Sequence, residues 1–162
     1  MQEAEIIRPP NKIKEAVGNG GLDAQVVRKA QTALEINASA IDFRPQARAI
    51  IDTLQQAYNA AQDGSRAGTD AIEAMIHPAM QLKAQSGMFK YNLLSEICNI
   101  LVNFLETAEK ADRNALSIVH VHLLTIRAII NRSMTGDGGA VGKELRDALM
   151  DACNRYYRLR IS

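Results

Sequence analysis

Apolar residues recur along this chain at intervals of three and four, the spacing that places them on one face of an α-helix. No useful length of chain alternates apolar and polar residues, so strands have little support. The spacing predicts an all-α protein with helices over about 23–37, 42–61, 70–87, 92–110, 114–134 and 141–160.

Residues typical of helix starts and of loops separate these segments. Asp23 and Asp42 are each predicted to cap a helix, and Asp70 with Glu73 has the spacing of a capping box at the start of the third. The stretches "DGSRAG" and "TGDGG" are predicted loops. Pro78 lies inside the third helix and is expected to kink it.

Connections of a few residues between long helices favour antiparallel neighbours. We therefore predict an up-down antiparallel four-helix bundle with additional N-terminal helices. The Pro-Pro and Gly-rich start predicts an extended arm over 1–22, followed by a single domain over 23–162. The last helix has a heptad-like seam that would suit a homodimer: Val141, Leu145, Ala148, Leu149, Ala152, Tyr156 and Leu159.

Composition narrows the functional classes. The 162 residues carry a net charge of +1, without the dominant basic excess of a general nucleic-acid binder. Charged residues interrupt every apolar segment, so none reaches the length of ~18 residues that a membrane span needs. No signal peptide is evident. Cys98 and Cys153 fall in helical patterns and are expected to be reduced core thiols. The expectation is a cytoplasmic protein that binds neither nucleic acid nor membrane.

The third helix shows two distinct faces when its residues are placed 100° apart. Its predicted core face comprises Ile72, Met75, Ile76, Ala79, Leu82 and Ser86. A flank about a quarter turn away carries Glu73, His77, Met80, Ala84 and Gly87, with Lys83 between the two faces. The flank therefore offers an accessible methionine beside small residues, one turn before an ammonium group.

The stretch "MQLKAQSGMFKY", followed by "LLSEICNILVNFLE", resembles the signature of histidine phosphotransfer (Hpt) domains. The resemblance implies a helical bundle with an exposed phosphoacceptor histidine, a lysine one turn on, and glycines that leave room for a receiver domain. Lys83 matches that lysine, and Cys98 lies in a following helix of matching pattern. Three positions depart from it: Met80 replaces the histidine, Ala84 the first glycine and Lys90 the second.

Met80 decides what chemistry the resemblance can imply. A thioether has no nitrogen nucleophile and cannot form a phosphoramidate. His77, one turn earlier on the same side, is the best substitute acceptor, but six residues separate it from Lys83. His120 and His122, two residues apart, are expected to face different sides, one toward the core and one toward solvent. Neither a metal site nor a cofactor is expected.

These observations predict a non-catalytic Hpt-like signalling module that binds a receiver domain or a histidine kinase. Its contact surface would comprise Met80, Lys83, Ala84, His77, Gly87 and Lys90. One alternative is a structural or oligomerisation protein that dimerises through its last helix, with Met80 buried. Another is a phosphotransfer protein that uses His77.

Overall fold

The structure, a computed structural model, describes residues 24–161 and divides the chain into two units, 1–40 and 41–162. Helix α1, Ala24–Ala40, belongs to the first unit and is described by itself. It corresponds to the helix predicted over 23–37. The predicted arm over 1–22 and the Asp23 cap lie outside the described residues, and the domain extent 23–162 stays a prediction.

The second unit contains five helices within its described residues. They are α2 (Arg44–Gln62), α3 (Gly68–Met88), α4 (Asn92–Thr107), α5 (Arg113–Asn131) and α6 (Gly139–Ile161). Residues 24–161 contain no strand, which confirms the all-α prediction.

These five helices form a bundle. Helix α3 packs between α2 and α4, and α5 contacts both α2 and α4 from the other side. Helix α6 lies against α4 and α5. It runs parallel to α4, because Arg146 pairs with Glu96 near the two helix starts, whereas Tyr157 bonds to Thr107 near the two helix ends.

The core is built almost entirely from aliphatic side chains, with a few aromatic rings at its ends. Phe43 stacks on Phe89 with a centroid separation of 4.7 Å, and Phe104 meets Tyr156 edge-on at 5.1 Å. The larger side chains that are almost fully buried include Ile51, Leu54, Met75, Leu82, Leu93, Leu94, Ile97, Leu101, Leu105 and Leu123. Burial of this apolar surface is the main force that holds the helices together.

Three helices begin differently from the prediction. Helix α3 starts at Gly68 without a side-chain cap, so the capping box of Asp70 and Glu73 is wrong. Asp70 lies instead in the first turn, where its charge favours the positive end of the helix dipole. Helix α5 starts before Asn114, because the Asp112 carboxylate caps it by accepting a 2.9 Å hydrogen bond from the Ala115 amide.

The third difference is at Asp42, which precedes the cap position of α2, occupied by Phe43. Its carboxylate accepts a 3.0 Å hydrogen bond from the Arg44 amide and two more from the Arg44 guanidinium. These bonds lower the pKa of Asp42. The residue thus satisfies one free N–H of the first turn without being the cap itself.

Pro78 does not interrupt α3, which is continuous from Gly68 to Met88. Proline has no amide hydrogen, so one hydrogen bond is missing from this helix, one turn before the site discussed below. The Pro78 ring itself is buried against the neighbouring helices.

The predicted seam of α6 is used mostly within the chain. Leu149 and Tyr156 are buried, together with Cys153, against α4 and α5. Val141, Ala148 and Leu159 are exposed, so the seven seam residues do not form one continuous exposed stripe. The regular heptad spacing reflects the packing of α6 onto two helices of its own bundle.

Within residues 24–161, one helix has the length and composition of a membrane span, namely α5. The central helix of a helical bundle meets the same requirement, so this is weak evidence for a membrane. In this structure Val119, Ile126 and Ile129 of α5 are fully buried against other helices.

Candidate functional site

The flank of α3 that the sequence singled out lies on the surface. His77, Met80, Ala84 and Gly87 are all exposed, and Met80 leaves 50% of its area in solvent. The opposite face carries Met75, Ala79, Leu82 and Ser86, all fully buried, with Ile72 nearly so. Helical spacing therefore predicted the two faces correctly except at Ile76, which was placed on the core face and is only partly buried. The half-exposed Met80 lies between the exposed His77 and Ala84.

Lys83 lies between the buried and exposed faces, as predicted, and is partly buried. Its main-chain oxygen accepts hydrogen bonds from two hydroxyls, Ser86 of the same helix at 3.1 Å and Ser95 of α4 at 2.9 Å. Its ammonium group makes no ion pair with the residues the structure describes. The positive charge next to Met80 is therefore available to a partner.

Lys90 occupies a backbone conformation that favours glycine. Its φ is +62°, in the left-handed region, where a β-carbon is crowded. Its carbonyl oxygen accepts a 2.6 Å hydrogen bond from the Gly136 amide of the α5–α6 loop. The replacement of the pattern's second glycine by Lys90 thus falls where the backbone itself would prefer a glycine.

Gly87, by contrast, is a helical glycine with space around it. A β-carbon at this position would meet nothing nearer than the Ser95 hydroxyl at 3.8 Å. Its lack of a side chain is therefore not needed for packing within the bundle. Because no side chain projects from the surface beside Ala84, another molecule can approach the helix closely there.

The three histidines have different environments. His77 is exposed on the Met80 side of α3. His120 is exposed and its ring lies 5.8 Å from that of Tyr58, whereas His122 is fully buried. This confirms the prediction that His120 and His122 face different sides of their helix. The Nδ1 atom of His122 lies 2.9 Å from the Ile118 oxygen, and burial lowers the pKa of the ring.

Both cysteines are free thiols in the core, as predicted. Burial raises the pKa of Cys98, and the positive charge of Lys83 acts in the opposite direction. Burial also raises the pKa of Cys153, to about 11. Neither thiol is a nucleophile at neutral pH, because the reactive thiolate is disfavoured.

One part of the surface was not predicted. A groove of about 390 Å³ runs along α4 beside Lys83, and its far wall belongs to α6. Arg146 and Met150 form that wall, more than 60 residues from Lys83 in sequence. Helical periodicity indicates which face of each helix is buried, but it does not indicate which helices become neighbours.

The exposed surface of α3 combines an apolar side chain with a cation. Met80 supplies no nitrogen nucleophile. Among the residues described, no three His, Cys, Asp or Glu side chains lie together as a metal site would require. The α3 surface offers the polarizable apolar side chain of Met80, the small residues Ala84 and Gly87 beside it, and the unpaired ammonium group of Lys83. Methionines of this kind are common at protein-binding surfaces.

No family model, no curated protein and no solved structure matches the chain.

Proposed function

We propose that this protein is a non-catalytic docking module of the Hpt type that binds a receiver domain or a histidine kinase. In this proposal α2 to α5 form the up-down four-helix bundle, and α6 is an additional helix packed against α4 and α5. The observation that carries the proposal is the exposure of Met80 at the position of the acceptor histidine, one turn before Lys83. An apolar side chain on the surface at that position, beside an available cation, suits protein binding.

The charge of the site supports the same class of partner. A receiver domain receives phosphate on an aspartate within an acidic pocket, which complements the unpaired ammonium of Lys83 and the nearby Lys90. Opposite charges of this kind raise the association rate and select partners. The positive φ of Lys90 also supports the resemblance, because it explains in backbone terms why the Hpt pattern has a glycine there.

The proposal excludes phosphotransfer through Met80. A phosphoryl group on an Hpt domain is carried by an imidazole nitrogen, which loses a proton when the bond forms. A thioether has no proton to lose, so its phosphoryl adduct would be an unstable sulfonium. His77 is exposed, so it is the side chain that a transfer activity would have to use. From His77, Lys83 lies six residues away, nearly two helical turns.

The test combines binding with phosphate transfer. The purified protein is mixed with receiver domains and histidine kinases encoded beside its gene, each with and without radioactive phosphate. Binding without transfer of label supports the docking module. Label on the protein that is lost in His77→Gln supports transfer instead, and the absence of binding to every receiver and kinase overturns the proposal.

A restoration experiment tests where the motif is placed. The triple variant Met80→His, Ala84→Gly, Lys90→Gly should accept phosphate from a phosphorylated donor, since it restores the nucleophile and both glycines. Adding His77→Gln to the triple variant should leave the labelling intact. If the triple variant folds and remains unlabelled with every donor, the assignment of Met80 to the acceptor position fails.

Dimerisation through α6 remains the competing proposal. Val141 and Leu159, which are 56% and 74% exposed, are the seam residues that could meet a second copy. Sedimentation equilibrium of the wild type and of a Val141→Lys, Leu159→Lys variant measures this directly. A dimer that dissociates in the variant would favour the structural alternative.

A further inference from the structure

The groove along α4 has walls from three helices. Its residues are Lys83 of α3, Ser95, Glu96, Asn99 and Ile100 of α4, and Arg146 and Met150 of α6. We call this set of residues the α4 groove. It adjoins the exposed flank of α3 through Lys83, so the proposed docking surface continues across α4 rather than ending there.

Helix register arranges this surface in two layers. The connection of three residues between α3 and α4 makes the two helices antiparallel, and the hydrogen bond from Ser95 to the Lys83 oxygen sets their register. Met80, one turn before Lys83, therefore lies level with about Asn99. Since α6 runs parallel to α4 and pairs Arg146 with Glu96, Met150 lies one turn further along, also level with about Asn99 and Ile100. Met80 and Met150 therefore lie at one level along the bundle axis, on two helices that pack against α4. The charged groups of Lys83, Glu96 and Arg146 lie at the neighbouring level.

Both methionines are available for contact. Met80 of α3 is 50% exposed and Met150 of α6 is 49% exposed, and Ile100 of α4, which contacts both of these helices, is partly buried. Large apolar side chains grouped on a surface typically mark a protein-binding site. An unbranched thioether adapts its shape to different apolar partners, which makes two exposed methionines at one level of the bundle a suitable pair of contacts for one apolar ridge.

The charged layer is asymmetric. On one side, Lys83 has no ion pair among the described residues. On the other side, the Arg146 guanidinium is held by the Glu96 carboxylate. The groove therefore has one unpaired cation, the ammonium group of Lys83, and one ion pair, between Arg146 and Glu96, on the α6 side. A ligand that complements it presents a single carboxylate next to an apolar ridge.

We propose that the α4 groove binds an amphipathic helix of the receiver domain or histidine kinase, with Met150 and Arg146 of α6 acting as specificity determinants. This inference rests on the proposed function. The apolar ridge of the partner helix packs between Met80 and Met150, and an Asp or Glu on that helix pairs with Lys83. A helix is the fitting occupant because the walls are helices and offer no strand edge to extend.

Methionine methyl NMR tests the surface directly. The chain has six methionines, so selective ¹³C-methyl labelling gives few signals, assigned by single Met→Leu variants. Each receiver and kinase from the binding experiment is the probe. We expect the Met80 and Met150 methyl signals to shift on binding and the fully buried Met75 signal to stay unchanged.

Affinity measurements with matched variants complete the test. Met150→Ala and Lys83→Gln should each weaken binding by about tenfold, as central interface residues do. Met88→Ala is the control, because Met88 is 69% exposed at the end of α3 and does not line the groove. It should change the affinity by less than about twofold.

The outcomes separate the inference from the proposed function. If a receiver or kinase binds and Met150→Ala behaves like Met88→Ala, with an unshifted Met150 methyl signal, the role of α6 is refuted and the docking module stands. If no receiver or kinase binds, the proposed function fails and this inference fails with it. Weakened binding in Met150→Ala, with circular dichroism matching the wild type, supports both.

Discussion

The hydroxyl of Ser95 donates a 2.9 Å hydrogen bond to the main-chain oxygen of Lys83, across the interface between α3 and α4. The bond joins the first turns of α4 to the end of α3, beside the proposed docking surface. It fixes the register of two helices whose side chains that surface combines. Its loss should therefore affect both stability and binding.

Ser95→Ala is expected to lower the free energy of unfolding by about 1 kcal/mol, the usual contribution of such a hydrogen bond. Urea denaturation followed by circular dichroism measures this. Ser117→Ala is the control, because the Ser117 hydroxyl bonds only to the Arg113 oxygen within its own helix. Equal stability of the two variants would show that the bond between the helices contributes nothing.

Gly142 allows α6 to start close to α4, and its replacement should destabilise the bundle. A β-carbon there would overlap the main-chain oxygen of Asp137 and would lie 3.3 Å from a Leu93 methyl group. Because one of these atoms is backbone, relief requires the loop to move. Gly142→Ala is expected to cost about 1–3 kcal/mol, as overpacking generally does.

Gly87→Ala provides the opposite expectation at a second helical glycine. The nearest atom to an added β-carbon is 3.8 Å away, so the substitution should raise stability by up to about 1 kcal/mol through better helix propensity. Thermal denaturation of the two variants compares them. A stabilised Gly142→Ala variant would contradict the close approach at the start of α6.

The sequence alone predicted the helices and both faces of α3, because helical periodicity depends only on local spacing. It did not predict the cap at Asp112 or the conformation of Lys90, since both depend on how the adjoining loop folds. It also missed the pairing of Arg146 with Glu96, which are 50 residues apart. Of the candidate site, the α3 side was therefore predictable, whereas the wall contributed by α6 required the tertiary structure.

Because the backbone at Lys90 is strained, its replacement by glycine should stabilise the protein, whereas most substitutions to glycine destabilise a protein. Lys90→Gly removes the β-carbon from a residue whose φ is +62°. Relief of about 1–2 kcal/mol is partly offset by the greater chain entropy that glycine adds to the unfolded state. A net stabilisation of about 0.5–1 kcal/mol is expected.

Lys90→Ala separates conformation from charge at this position. It removes the ammonium group but keeps a β-carbon in the left-handed region, so it should not reproduce the stabilisation. Chemical denaturation at low and high salt measures both variants. Equal stabilisation by alanine and glycine would mean that the charge of Lys90, and not its backbone conformation, is unfavourable.

His122 should make the stability of the protein depend on pH between 7.5 and 5.5. Its ring is fully buried, its Nε2 atom has no hydrogen-bond partner among residues 24–161, and burial lowers its pKa below the ordinary value of 6.5. Below pH 6.5 the unfolded chain therefore binds a proton that the folded protein does not, and stability falls as the pH falls.

The expected loss between pH 7.5 and 5.5 is at most about 1.4 kcal/mol, because protonation of a histidine with the ordinary pKa of 6.5 stabilises the unfolded chain by about that amount over this interval. His122→Leu should remove this contribution, whereas His120→Gln, at an exposed position on the same helix, should retain it. Urea denaturation at several pH values gives the slope for each protein. If His122→Leu and the wild type lose the same free energy on acidification, a group other than His122 must account for the dependence, because only protonation of the buried imidazole is removed by that substitution.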